Sequence, residues 1–490
     1  MYEHDSKRKL RLRLTFTYAV MILTTLGLVV VALFIALGYR YNQFDGRFEQ
    51  GGMIQFNSRP SGAEIQLDAV KLSNRTATRI TATAGNHAVM VSRDGYKPWQ
   101  KQATVKPGAV LWLNYVRLVP TDPKIETAAT YGSIASVMAS FDRSRFAVIE
   151  NDTQPTVTFS RVHDANVEHS SVTVPADKIT TPSAAGSSRF SLAGWDYANK
   201  RVLVLHTYDD SKTEYLLVSK DSGDPARNIS TEFGISIAEL QYDPTDSNIA
   251  YVLTTNHDIR RLNLSTSTLS GPLVTNASSL VVAYNGWIGY ATHPDVSGVR
   301  TVGYVSKDKL TAKTVQTFTN MSGRSLSYTI ASYYNELYQL VVAGDSATVY
   351  HAELPGSDST DVIKSKTIAK LSLAKDVAFA GFSPREQRFV YIQNGRDIVT
   401  YDLELSSIAT VAPSAALNAK IGWLDDFHLL STADGTIEFM DYDGTNMQTL
   451  ARGASHAATL LAGNDKFFYY FTRDEAAGTV RLMRLSLTTE

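Results

Sequence analysis

Cysteine is absent from all 490 residues, which removes disulfide staples, thiolate metal sites and thiol nucleophiles together. Packing and hydrogen bonds must therefore carry the fold. An excess of charge of either sign is missing too. With 47 basic and 48 acidic residues the formal net charge is -1, so the chain lacks the basic surplus that grips nucleic acid by neutralising phosphates. Signatures of common chemistries are also lacking. There is no G-x-S-x-G elbow, H-E-x-x-H, P-loop, G-x-G-x-x-G or kinase signature set. The ten histidines stand singly, without the clustering usual for metal ligands. On these grounds no catalytic, cofactor-binding or metal-ligating residue is assigned, and the ligand-binding residues are left unknown.

What is present points to globular β structure. Hydrophobic residues make up 44% and charged residues 19%, the balance of a chain that folds rather than one that stays disordered. The length exceeds what one core supports, so at least two domains are expected. The 25 tyrosines, with abundant Thr, Ser and Val, suit pleated, half-buried surfaces.

One long apolar run stands near the start. Phe16 to Gly38 carries no charge, and as a helix it spans about 34 Å against a hydrocarbon core of about 30 Å. Lys7, Arg8, Lys9, Arg11 and Arg13 precede it, whereas Arg40 and Arg47 follow with Asp45 and Glu49 beside them. The positive-inside bias puts residues 1–15 in the cytoplasm and the remainder outside, as in a single-pass plasma-membrane protein. Ala36-Leu37-Gly38 has the small-x-small shape of a cleavage site, but the run exceeds a typical signal-peptide core. Whether the helix is retained or cleaved stays open. With no cysteine after the run, a lipoprotein anchor is excluded. Ala32 and Ala36 form a small-xxx-small pair, which chance also supplies in such spans.

A linker, residues 39–51, leads to a stretch at 52–120 of short β runs and turns. The runs are Met53 to Phe56, Ala63 to Leu67, Ala88 to Val91 and Val110 to Leu118, with apolar residues two apart such as Ile65 and Leu67 or Val89 and Val91. They read as a small β-sandwich. Ser58-Arg59-Pro60-Ser61-Gly62-Ala63, Gly85-Asn86-His87-Ala88-Val89 and Asp94-Gly95-Tyr96 with Trp99 resemble the PEGA domain, a β module of bacterial and archaeal surface proteins. Asp68-Ala69 and Asn74-Arg75-Thr76-Ala77 depart from the family's usual turns. Tyr96, Trp99 and Trp112 read either as core and turn packing or as a stacking platform for a sugar ring.

Residues 125–490 repeat. Each unit opens with a short apolar strand, an aromatic residue and a polar turn, before a second β run. The openings are Phe141-Asp142, Trp195-Asp196, Tyr242-Asp243, Tyr284-Asn285, Tyr334-Asn335, Phe382-Ser383, Trp423-Leu424-Asp425 and Gly463-Asn464, the last without its aromatic. Spacings of roughly 40 to 55 residues without helical periodicity match four-stranded propeller blades, with eight favoured over seven. Ile398 to Leu403, and Ile437 to Met440 running into Asp441-Tyr442-Asp443-Gly444-Thr445-Asn446, are similar to later strands of TolB-like or WD40-like blades.

Two segments have a faint chemical reading. Ser431 to Thr436 is similar to the Asp-box turn of sialidases, against an ordinary hairpin. Asp441, Asp443 and Asn446 could ligate calcium, against an unoccupied turn. The chain is thus expected to be all-β after one transmembrane helix. Its expected role is non-enzymatic: an anchored cell-surface scaffold of prokaryotic type, binding a protein or an envelope polysaccharide, with no cofactor and no nucleic acid. The alternatives are an exported hydrolase or lyase with its site in the central channel, although no catalytic domain follows the repeats, and a laterally assembling envelope protein.

Overall fold

Hydrocarbon offers the backbone no hydrogen-bond partners, so an apolar run suited to it satisfies its own amides by coiling. Accordingly, in this computed structural model, Glu3–Ala36 is one helix. The structure describes residues 3–36, 39–42, 47–162, 166–183, 187–209, 211–221, 223, 225–319, 321, 323–353, 363–373, 377, 379–394, 397–411 and 421–489. Residues 37–38, the end of the expected span and of the cleavage-like triplet, lie outside them. Arg11–Phe34 has a mean hydropathy of 2.3 and is, by length and composition, able to cross a membrane. The hydroxyls of Thr15, Thr17, Thr24 and Thr25 donate to carbonyls four residues back, at 2.8–2.9 Å, so these polar groups are satisfied within the helix.

The stretch read as a linker contains structure. Tyr39–Asn42 pairs antiparallel with Arg47–Gln50, because Tyr-Arg-Tyr and Arg-Phe-Glu alternate aromatic with charged residues at the period of a strand. The chain divides into two compact units, one running from the N-terminal helix to Asp122 and one spanning Pro123–Leu487. Residues 488–490 group with the first unit, although the sequence reading gave them to the repeats. The reason is a contact within that unit, in which Thr489 N donates to the Tyr96 hydroxyl at 2.8 Å.

The first unit is a two-layer β domain. Gly52–Arg59 lies between Thr78–Ala82 and, in parallel, Val110–Arg117, while the second sheet runs Val70–Arg75, Glu64–Leu67, Gly85–Ser92, Trp99–Val105. Ile54, Phe56, Ile65, Val91 and Trp99 are fully enclosed. Two stretches singled out in the sequence meet here: Ser58 Oγ lies 2.5 Å from Thr76 Oγ1, which accepts from Ala63 N at 2.9 Å. Gly62 and Gly95 have φ of 79° and 82°, as turns that need a residue without Cβ require.

The second unit contains eight four-stranded antiparallel sheets. Sequential blades open with the strands Ser136–Ala139, Arg189–Trp195, Ile237–Asp243, Ala277–Val282, Leu326–Tyr333, Phe379–Phe382, Ile421–Trp423 and Leu460–Leu461. Core forms where faces of neighbouring blades meet. Phe159 of blade 1 packs with Trp195, Val204 and Leu216 of blade 2, and Phe146 of blade 1 packs with Tyr469 and Phe471 of blade 8. The latter contact closes the ring, so the fold is an eight-bladed β-propeller. Its seam is made of distant sequence: Ile125–Tyr131 is the fourth strand of blade 8, paired with Thr479–Ser486.

Candidate functional site

In an antiparallel blade the hairpin joining strands one and two, here the opening hairpin, lies at the same end as the turn joining strands three and four. All eight aromatic or polar openings read from the sequence fall at opening hairpins. Their polar residues are occupied in shaping the turn. Asp196, fully buried, accepts from the amides of Lys200 and Arg201 at 2.8 and 3.1 Å and from Arg201 Nε at 3.0 Å. Ser140, Asp243, Asn285, Ser383, Asp425 and Asn464 likewise accept from backbone amides two to six residues on. Short polar side chains favour such turns because they supply the acceptor that a reversing backbone lacks.

Of the opening aromatics Trp195 and Tyr242 are buried, whereas Phe141, Tyr284 and Tyr334 are exposed. Phe141 of blade 1 stacks on Tyr197 of blade 2, with centroids 4.4 Å apart and planes 7° from parallel. Tyr197 meets Tyr284 of blade 4 edge-on at 5.8 Å. Arg385 of blade 6 donates to the Phe141 carbonyl at 2.8 Å, and Arg143 of blade 1 pairs with Asp465 of blade 8 at 3.5 Å. Blades 2 and 4, and blades 6 and 1, are not neighbours in the ring, so these tips converge across its axis. Burial pushes the Tyr197 hydroxyl up to about 12, helped by Tyr284 and Asp243. Phe141 remains 45% exposed, Tyr284 42% and Tyr334 of blade 5 79%.

Tyr334 and its neighbour Asn335 have φ of 48° and 61°, forming a two-residue loop between the paired Tyr333 and Glu336. A bulky side chain at such φ is strained by roughly 1–2 kcal/mol, offset in part by the edge-on contact of its ring with Tyr333 at 4.6 Å.

The residues weighed in the sequence are placed as follows. Trp99 is fully buried and meets Tyr115 edge-on at 6.1 Å, and Tyr96 is also buried. They form core rather than a platform, and Trp112 is half-buried. Asp434 and Gly435, with φ of 49° and 72°, make a two-residue hairpin between Ala433 and Thr436, the ordinary alternative to an Asp-box. Asp441 Oδ2 accepts from Asn446 Nδ2 at 3.0 Å, and Asp443 Oδ1 from Thr445 Oγ1 at 2.6 Å, so oxygens considered for calcium serve the turn. Among the described residues no group of three or more His, Cys, Asp or Glu is arranged to hold a metal ion.

A buried polar chain in blade 2 leaves no recognisable mark in the sequence. His206 Nδ1 lies 2.8 Å from Glu214 Oε1, and His206 Nε2 lies 2.9 Å from Ser188 Oγ. Glu214 also accepts from Thr180 N at 2.9 Å, Thr180 Oγ1 at 2.5 Å and Asn228 Nδ2 at 2.8 Å. Burial alone would raise its pKa, but the bonds from His206, Thr180 and Asn228 outweigh that and hold it near 2. The His206 ring is enclosed between Phe190 and Tyr208, with centroids at 4.5 and 4.9 Å. The chain ties the connection from blade 1 to blade 2 against the sheet. A cleft of about 440 Å³ lies beside it, lined by Lys178, Thr180, Arg227 and Asn228 among others. Its Arg227 is held by Glu232 and by the Leu264 carbonyl at 2.7 Å.

The family comparison agrees with the β domain of the first unit. Residues 52–121 match the family model of the PEGA domain, and no curated protein matches the chain. Solved structures resembling it include an oligogalacturonate lyase in complex with manganese, at 9% identity and TM-score 0.41, covering 75% of this chain and 98% of that one. A second is the Cps50 (Swd1) β-propeller domain of Myceliophteria thermophila, at 11% and 0.40, covering 75% and 100%. The tricorn protease is a third, at 10% and 0.40, covering 74% of this chain and 38% of its own. The class defined by fold and family model is a PEGA domain followed by a β-propeller.

Proposed function

We propose that the protein is a membrane-anchored surface scaffold of prokaryotic type, whose propeller binds a ligand outside the cytoplasm without turning it over. The observation that supports this most is the pairing, in one chain, of a membrane-length helix with a closed propeller whose opening hairpins expose aromatic rings. Loops on a rigid scaffold are common recognition elements, and exposed aromatic residues beside arginine are the usual anchors of binding surfaces. The basic residues before the helix support a cytoplasmic N-terminus. In protease shaving of intact cells, a C-terminal tag should be lost while the N-terminus stays protected. A tag found inside cells overturns the proposal.

A second reading, an exported hydrolase, draws support from the order Ser188–His206–Glu214, that of nucleophile, base and orienting carboxylate. Enclosure of His206 favours a structural strut instead. Covalent labelling of Ser188 by a fluorophosphonate, lost in Ser188→Ala, would establish the hydrolase; absence of labelling in the folded protein would remove it.

A further inference from the structure

Most polar groups of the opening hairpins are spent on the turns, whereas the rings of Phe141 and Tyr284 are exposed. Phe141 and Tyr197 form a nearly flat double layer, and Tyr284 stands at its edge. Arg385 is fixed at the rim through the Phe141 carbonyl. In the Tyr284 hairpin, Asn285 Nδ2 is enclosed and has no hydrogen-bond partner among the described residues. A donor left in that state carries a desolvation penalty that an incoming oxygen would relieve.

Size selects the occupant. A Phe or Tyr side chain offers roughly 150–250 Å², so Phe141 and Tyr284 at their exposures of 45% and 42% show together on the order of 200 Å². A stable protein interface needs about 800 Å² from each partner. A pyranose ring, with a flat face of C–H groups and hydroxyls around its edge, matches a flat aromatic face flanked by an amide donor and a guanidinium. We infer that the opening-hairpin end of the propeller is a glycan-binding site, with Phe141 and Tyr284 stacking on sugar rings and Tyr197 backing Phe141. This rests on the binding reading above and names its ligand class.

The test uses the detergent-solubilised full chain and four soluble probes: hexamers of cellulose, chitin, xylan and polygalacturonate. Binding is read by calorimetry and by saturation-transfer NMR. At least one hexamer should bind, with transfer strongest to its ring C–H protons, and Phe141→Ala or Tyr284→Ala should each weaken it by up to about tenfold. Asn285→Ala should weaken binding as well, and hydrogen exchange should show each variant folded. No binding by any hexamer, or binding unchanged in both ring variants, overturns the glycan assignment. If these rings instead capture a protein partner, or a second copy of the chain detected by sedimentation, the assignment falls while the binding reading stands. An intracellular C-terminal tag removes the binding reading itself.

Discussion

Both the PEGA domain and the propeller bury aromatic residues as core, but at three hairpin tips the propeller also holds them in solvent. In the first, Tyr96, Trp99 and Tyr115 are interior. In the second, Phe141, Tyr284 and Tyr334 stand at hairpin tips in solvent. An aromatic residue next to a turn therefore does not reveal its role until burial is known, and only the propeller set is available to a ligand.

The sharpest way to break this contrast is to truncate one ring of each kind. Trp99→Ala should destabilise the PEGA domain by about 3–5 kcal/mol through loss of core and an unfilled cavity. Phe141→Ala should change propeller stability by no more than about 1 kcal/mol. Urea unfolding followed by peptide-resolved hydrogen exchange measures both, and equal losses would erase the distinction.

Next in size is the response to pH, because each region holds a histidine–carboxylate pair. Glu214 has a depressed pKa, so its contribution is complete above its ordinary value of 4.5 and is lost as pH falls towards about 2. With the shift taken at face value, this is about 3 kcal/mol. Glu214→Gln should flatten that acid loss in the propeller. In the PEGA domain His87 Nδ1 meets Asp68 Oδ2 at 2.6 Å, and its Nε2 meets the Thr83 carbonyl at 2.9 Å. Desolvation of His87 is outweighed by the Asp68 and Thr83 bonds, so its pKa is raised. That contribution is complete below 6.5 and disappears as pH climbs through the folded value, while Asp68, lowered from 3.8, loses its own only in acid. Mild alkali should loosen the PEGA domain and leave the Glu214 contribution in place; His87→Gln should abolish that sensitivity.

The smallest pair concerns backbone strain. Ala69, with φ of 66°, and Tyr334, with φ of 48°, each occupy a conformation that glycine adopts freely. Ala69→Gly and Tyr334→Gly should each raise the stability of their region by about 1 kcal/mol. Neither change should alter ligand binding at Phe141 and Tyr284, so stability and recognition are read apart.

Much of the architecture was legible because it is local. The eight openings, from Phe141-Asp142 to Gly463-Asn464, were readable because a hairpin needs its acceptor side chain within a few residues. In the PEGA domain, Val70–Arg75, Thr78–Ala82 and Trp99–Val105 escaped notice, since the first two are largely exposed and the third interleaves Gln and Lys with its buried residues. The site was less legible. Phe141 and Tyr284 are visible one by one, but Tyr197 is not, since the opening aromatic of its hairpin is the buried Trp195, and that blades 1, 2 and 4 bring the three rings together depends on ring closure. Ser188, His206, Glu214 and Asn228 lie on separate elements, and no spacing rule joins them.

The seam of blade 8 has a consequence for biogenesis. Ile125–Tyr131 is synthesised first among the blade strands, yet its partner Thr479–Ser486 comes last. Until that partner has been synthesised, the early strand offers an unpaired edge to neighbours and chaperones. Closure is therefore gated by the arrival of Thr479–Ser486, and a folding intermediate stalled before it would carry an open, adhesive arc in place of a sealed wheel.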